Sequence, residues 1–433
     1  MSLTGRIINA IGRNADRMRR PRPGQVVQPM ELDRWRDYPA DGLTPSQLVA
    51  ILRAADDGAV EQAMALFEQM EEKDAHLHCV AATRRLAVTG LPWQVVSASE
   101  VRGGVDRTAA DEAAAYARQV LAGIDRFDEA LQHLSLAIGR NVALAENVWE
   151  VVGGELRLTD VVPIPFERIA FDEAGSPRVL TIAEPIRGIP LAPNKFVVHA
   201  PHAASGHPMR GGLLRVSALA YLGKHFAMKD WMVFAEVFGM PLRIARYEPQ
   251  ASPEEKRELL GMLQALGTDA AAIFSKAVEL QLLEAGQGKA PPPYQGMCDF
   301  FNRELSKAWL GETLTVEPMA QTGSMNAAIV HNEVRKEIRQ DDIAREGRTV
   351  RRDVLGPLVR LRFGPDVPVP FFTRRFSDMR DRQELARLLS TAVNELGLKV
   401  PAAWAHEALG LPAAAAGGEE KTVESPMDAD GCR

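Results

Sequence analysis

Apolar residues recur at helical spacing along most of the chain, and short alternating runs interrupt them. Thr44-Pro45-Ser46-Gln47 opens the first clear helix. Thr is the cap, Pro takes the first helical position, and Gln closes a capping box. Leu48, Ile51, Leu52 and Ala55 follow at helical spacing, and Asp57-Gly58 breaks the run. A second helix carries Ala63, Leu66, Phe67 and Met70. A third carries Leu77, Val80, Ala81 and Leu86 and stops at Gly90. Pro92 to Val96 reads as a strand, and helices are expected over Thr108–Leu121 and Phe127–Leu144.

The pattern then changes. Asn147 to Val152 alternates, Gly153-Gly154 turns, and Leu156-Arg157-Leu158 continues, which is a hairpin signal. Short strands are expected near Ile169, Val179–Ile182 and Lys195–His199. The longest apolar helix pattern runs from Leu213 to Phe238 through Leu214, Leu219, Leu222, Phe226, Trp231, Phe234 and Phe238. A strand at Leu242–Tyr247 and a capped helix at Ser252–Gly267 come next. Helical pattern returns over Met297–Leu310, Gly311–Gly323 reads as a loop, and a long polar helix runs from Ser324 to Glu346. Arg351–Leu361 extends it after a bend, and Asp378–Leu396 forms a last helical unit. The fold class is α+β, mainly helical.

Composition narrows the function. The 433 residues are 46% hydrophobic and 25% charged, an ordinary globular balance with room for two or three packed units. The net charge is −6, whereas a protein that coats DNA through phosphate contacts is usually basic. Cys79, Cys298 and Cys432 are too scattered for a disulfide framework and fit a reducing compartment. No stretch approaches the ~20 uninterrupted apolar residues of a spanning helix, so no membrane partner is expected. The N-terminus is a short basic amphipathic arm, Pro21–Pro29 a linker, and the acidic tail after Ala413 has the composition of a disordered segment.

Catalytic motifs are missing. There is no phosphate-binding loop, nucleophile elbow, Cys-x-x-Cys or His-Glu-x-x-His. His199, His202 and His207, flanking Ser205, form the one cluster that could hold a metal or activate a serine; the alternative is a polar loop between a strand and the long helix. The pairs Glu71-Glu72 and Asp341-Asp342 read as solvated helix faces, since neighbours on a helix do not converge. No catalytic residue, metal site or cofactor is assigned. Arginines load the region from Arg335 to Arg352, interleaved with acids, which suits ion pairs between identical neighbours at least as well as a DNA-binding stripe.

Four stretches resemble the portal proteins of Mu-like bacteriophages: Leu43–Val96, Gly188–Pro249, Glu304–Asp342 and Leu358–Phe372, in matching order over roughly Leu43 to Pro412. The resemblance implies a homo-oligomeric ring, commonly of twelve copies, at one vertex of a phage head. Such a ring passes double-stranded DNA during packaging and ejection. It meets the major capsid and scaffolding proteins, docks the terminase large subunit, and later carries the head–tail adaptor. The implied location is the virion, with assembly in the bacterial host cytoplasm. The implied fold has a wing, a helical stem, a clip and a crown that is small or absent here.

By chain order, 1–42 is a basic arm and linker, 43–250 the wing, 251–310 the stem and clip, 311–323 a tunnel loop, 324–361 the wing's spine helix, 362–412 a crown-side unit and 413–433 the tail. Ile273–Gln295 departs from the family, which bears on the clip. Glu317, Gln321, Thr322, Gly323 and Ser324 are the candidates to face DNA; an ordinary helix start capped by Ser324 explains the last of them equally well. Arg335, Glu337, Arg339, Asp341 and Arg345 are the candidates for ion pairs between subunits. The rival readings are another minor head or adaptor protein, or an enzyme using the histidine loop. The absence of catalytic motifs suits a conduit driven by a separate ATPase.

Overall fold

A computed structural model describes residues 24–27, 40, 42–239, 243–247, 250, 252–257, 271–275, 293–313, 325–375, 379–394, 400, 405 and 409. Contacts divide the chain into two units, Met1–Arg374 and Arg375–Arg433. In the second, the described helix is Met379–Asn394, matching the expected last helical unit.

The first unit opens with α1 (Pro45–Asp56), α2 (Glu61–Lys73) and α3 (Ala75–Thr89). The Thr44 side chain accepts from the Gln47 amide and Gln47 answers with its own, so the capping box forms as the sequence dictates. Asp74 caps α3 by accepting from the amides of His76 and Leu77. Leu77, Val80 and Ala81 are buried, but Leu86, expected on the same stripe, faces solvent. After β1 (Trp93–Val96) come α4 (Ala98–Val101), α5 (Arg107–Ala122), α6 (Phe127–Ser135) and α7 (Ala137–Arg140).

The helix expected to reach Leu144 ends four residues early. Asn141 adopts a left-handed φ of 59°, and its side chain is held by His202 and Pro208 carbonyls at 2.8 and 2.7 Å. Asn tolerates that conformation better than most residues. Ala143 and Leu144 therefore enter β2 (Ala143–Val152), which pairs antiparallel with β3 (Glu155–Ile164). Gly153 and Gly154 turn the hairpin with φ of 62° and 84°, the geometry a two-residue hairpin loop demands.

A second small sheet joins β4 (Ile169–Phe171), β5 (Pro177–Val179) and β6 (Ile189–Pro190), and β7 (Phe196–His199) returns to pair with β2. The strand expected to reach Ile182 stops at Val179. Next come α8 (Leu213–Gly239), β8 (Arg243–Tyr247), β9 (Ala271–Ser275) and α9 (Pro293–Leu310). β8 and β9 pair in parallel; β9 was not anticipated. α10 (Met325–Val350) passes through a π-helical turn, Arg351–Leu355, into α11 (Gly356–Phe363), and β10 (Phe371–Arg374) closes the unit against β1.

Two hydrophobic cores result. One joins α1–α3 to α8 and α9 around Phe67, Leu77, Leu214 and Trp309. The other joins α5, α6, the β2–β3 hairpin and α11 around Leu121, Leu131 and Leu358. The bend between α10 and α11 has a covalent cause. Pro357 lacks the N–H that would bond the Asp353 carbonyl one turn earlier. Asn147 Nδ2 donates to that carbonyl instead, at 2.8 Å. The expected bend is thus a π turn pinned to the hairpin.

Candidate assembly surface

The polar helix α10 was expected to be solvated or to face another subunit. Two of its acids, Asp342 and Glu346, instead anchor it within the chain. Arg84 of α3 donates to both carboxylate oxygens of Asp342, at 2.9 and 3.1 Å, and to the Trp309 carbonyl at the end of α9, at 2.9 Å. One guanidinium thus ties α3, α9 and α10 together. Arg374 of β10 grips Glu346 in the same bidentate way and donates to the Leu91 carbonyl at 2.7 Å. Gly347 lets β10 approach: a Cβ there would stand 2.5 Å from the Phe372 carbonyl oxygen.

Glu71 likewise is no solvated acid, because it is buried and paired with Arg85 at 2.9 Å and Arg140 at 3.2 Å. Burial of such pairs calls for near-complete hydrogen bonding; the Arg84 and Arg374 forks supply it, whereas the buried Nε of Arg140 has no partner among the described residues. Sequence reading missed these anchors, since a buried acid and a solvated one look alike in a mixed-charge run. The linker is also docked: the amides of Val26 and Val27 donate to the fully buried carboxylate of Glu146, which Lys195 pairs at 2.9 Å.

The three histidines of the loop take separate structural posts. His199 is buried with Nδ1 2.9 Å from Thr349 Oγ1, and burial pushes its pKa down to about 3. His202 Nδ1 lies 3.1 Å from Arg345, and burial, then that guanidinium, lowers its pKa. His207 caps a short 3-10 turn by accepting from the Met209 amide, and its ring meets Phe171 edge-on. Among the described residues no group of three or more His, Cys, Asp or Glu is placed to hold a metal ion.

Of the candidates for contacts between subunits, Asp341 and Arg345 pair with each other at 2.6 Å, and the Arg345 guanidinium lowers the Asp341 pKa. Arg345 also donates to the Pro201 carbonyl. Arg335 reaches Glu312 at 3.9 Å, Arg339 is half-buried, and Glu337 is exposed. The DNA-facing candidates Glu317, Gln321, Thr322, Gly323 and Ser324 lie outside the described residues, as does most of the Ser252–Gly267 helix beyond 257.

The unsatisfied surface lies on α8 and α9. Leu214, Ala218, Tyr221 and Leu222 bury one side of α8. Leu219, Phe226 and Trp231, members of the same apolar pattern, are exposed, Leu219 by 71%. Beyond Ala227 the described residues of α8 leave the core, and Met232 is 67% exposed. Met297 and Phe300 of α9 add to this apolar surface, and Tyr294 packs on Phe234 at 5.8 Å. The two helices cross closely because Gly223 has no side chain; a Cβ there would stand 2.3 Å from the Phe301 ring. A helix apolar on several faces is normally buried, and exposed apolar patches of this kind mark protein contacts. Among the described residues no helix is long and apolar enough to cross a membrane.

Known proteins give this surface a context. The family described as portal protein of Mu bacteriophage matches residues 64–411. The chain is 30% identical over 388 residues to the Mu-like prophage FluMu protein gp29 of Haemophilus influenzae, covering 88% of this chain and 73% of that protein. It is 26% identical over 386 residues to the portal protein of Escherichia phage Mu, covering 88% and 74%. Its fold resembles a chain from the virion of a native gene transfer agent particle, with a TM-score of 0.53 at 11% identity, covering 81% of this chain and 93% of that one.

Proposed function

From the premise that the chain belongs to the Mu bacteriophage portal-protein family, we propose that it forms the portal ring at one vertex of a phage capsid, through which double-stranded DNA is packaged and ejected. The family match across residues 64–411 carries this reading. The ring has twelve copies, stands in the virion after assembly in the host cytoplasm, docks the terminase large subunit and then the head–tail adaptor, and meets capsid and scaffolding proteins. The role is structural, and a separate ATPase supplies the work.

Physical features support the reading. The apolar surface of α8 and α9 needs a neighbour, and heterologous contacts that close on rotation build rings. The spine helix α10 is rigidly tied to α3, α9 and β10, so force on one copy passes to its body rather than unfolding a loop. The wing is 43–250, the stem and clip 251–310, the tunnel loop 311–323, the spine 324–361 and the crown-side unit 362–412, with Glu317 and Gln321–Ser324 nearest DNA and Glu337 an exposed spine residue that meets a neighbour. A net charge of −6 per copy, repeated around the ring, favours passage over retention, because each tight phosphate contact releases counterions and adds affinity. Electron microscopy of the purified protein tests this directly: rings with a central hole are expected, and monomers persisting at high concentration in several buffers would overturn it.

A further inference from the structure

A cleft of about 750 Å³ opens between α4, the α10–α11 bend and β10. Its walls carry Arg102, Arg348, Arg351, Arg352 and Arg360, and no carboxylate of the described residues lines it. In a chain of net charge −6 this is a concentrated positive site. Arg352 is spent on Asp353 and the Val198 carbonyl. Arg102, Arg348 and Arg360 are exposed and have no ion pair among the described residues. Arg351 donates to the Val369 carbonyl, yet its Nε is buried with no hydrogen-bond partner among the described residues. Burial first, and then repulsion from Arg102 and Arg360, lowers the Arg351 pKa.

The cleft is not only basic. Phe371 forms its floor, with the Arg351 and Arg102 guanidiniums 4.2 and 5.3 Å from the ring centroid. Arg351 already spends one N–H on Val369, whereas the exposed Arg102 guanidinium over the ring keeps its N–H edge free for a bidentate carboxylate. Val101 and Val369 continue the apolar lining. A volume of this size holds several side chains.

We propose that this cleft docks an acidic segment of a partner polypeptide, whose carboxylates meet the rim arginines while an apolar side chain rests on Phe371. Charge complementarity selects an anion, and the apolar floor selects a peptide over a nucleic acid, whose phosphate backbone would leave that floor unused. The proposal does not rest on ring formation, because every lining residue belongs to one chain.

The test titrates full-length protein into a short fluorescein-labelled peptide of alternating Glu and Leu and reads anisotropy. Binding is expected to weaken with added salt and to fall at least about tenfold in Arg102→Glu and in Arg360→Glu. Both side chains are exposed, so the fold should survive, and Arg348→Ala is a milder third variant checked by circular dichroism. A peptide of alternating Glu and Gly should bind about tenfold more weakly, for want of side chains to bury. Affinity unchanged by all three variants overturns the proposal. So does duplex DNA displacing the peptide at equal charge concentration, which would make this a nucleic-acid site. A truncation removing 413–433 that raises peptide affinity also overturns it, by making the chain's own acidic tail the occupant.

Discussion

Arg374, at the end of the last strand of the first unit, holds Glu346 of α10 in a bidentate pair with contacts of 2.6 and 2.7 Å, both side chains nearly dry. The pair closes β10 and, through the Leu91 carbonyl, the turn after α3 onto α10. It is placed to decide whether α10 moves as one body with β10 and the end of α3.

Removing one partner should therefore be severe. Glu346→Ala leaves a buried guanidinium uncompensated and should cost about 3–5 kcal/mol. The Glu346→Met, Arg374→Leu double variant should recover most of that loss, since it buries no charge. Urea denaturation midpoints of the three proteins decide it; a double variant no better than the single would refute the assignment.

The crossing of α8 and α9 depends on an absent side chain. Gly223→Ala drives a methyl into the Phe301 ring and should cost about 1–3 kcal/mol through overpacking. Adding Phe301→Leu should restore part of it. Thermal melts of the single and double variants check the coupling, and additive losses would mean that the two residues do not meet.

Acid sensitivity follows from two histidines. Burial lowers His199 to about 3 and His133 to about 4 from an ordinary value of 6.5. Below pH 6.5 the unfolded chain takes up protons on both rings while the folded chain does not. Stability therefore falls as pH drops from 6.5 toward 4, and each histidine adds a slope approaching 1.4 kcal/mol per pH unit, about RT ln 10. His199→Gln should make the profile shallower by about that amount. Urea midpoints between pH 6 and 4.5 measure the slope, and an unchanged profile would sink the idea.

The exposed apolar residues of α8 should govern assembly and not folding. Leu219→Asp and Met232→Asp alter positions that are 71% and 67% exposed, so circular dichroism and melting temperature should barely move. Mass photometry should show the ring replaced by small species. Intact rings in both variants would move the subunit contact elsewhere.

Much of the fold was legible in the chain. Thr44 to Gln47 announced a helix start through local hydrogen bonds, and Gly153-Gly154 announced the hairpin through backbone conformations that other residues resist. The long α8 and α10 helices and the bend beyond Val350 could be read from spacing, and four quoted stretches pointed to the family. The errors share one cause. Leu86, Leu219 and Trp231 belong to apolar helical patterns yet face solvent, while Glu71 and Asp342, read as solvated helix faces, are buried. Periodicity states which side of a helix a residue lies on, and not whether another element covers that side.

The sequence by itself determined the local choices: where helices start, where the chain turns, which faces are apolar, and the portal family. Those depend on contacts within a few residues or on similarity along the whole chain. Only the tertiary structure decided which charges are buried, because Arg84 and Asp342 lie 258 residues apart and Arg374 and Glu346 sit on different elements. It also decided that Arg102 and Arg351, 249 residues apart, both lie against the Phe371 ring and that half of α8 leaves the core. Long-range pairing is set by the packing of whole elements, and no short window of sequence contains both partners.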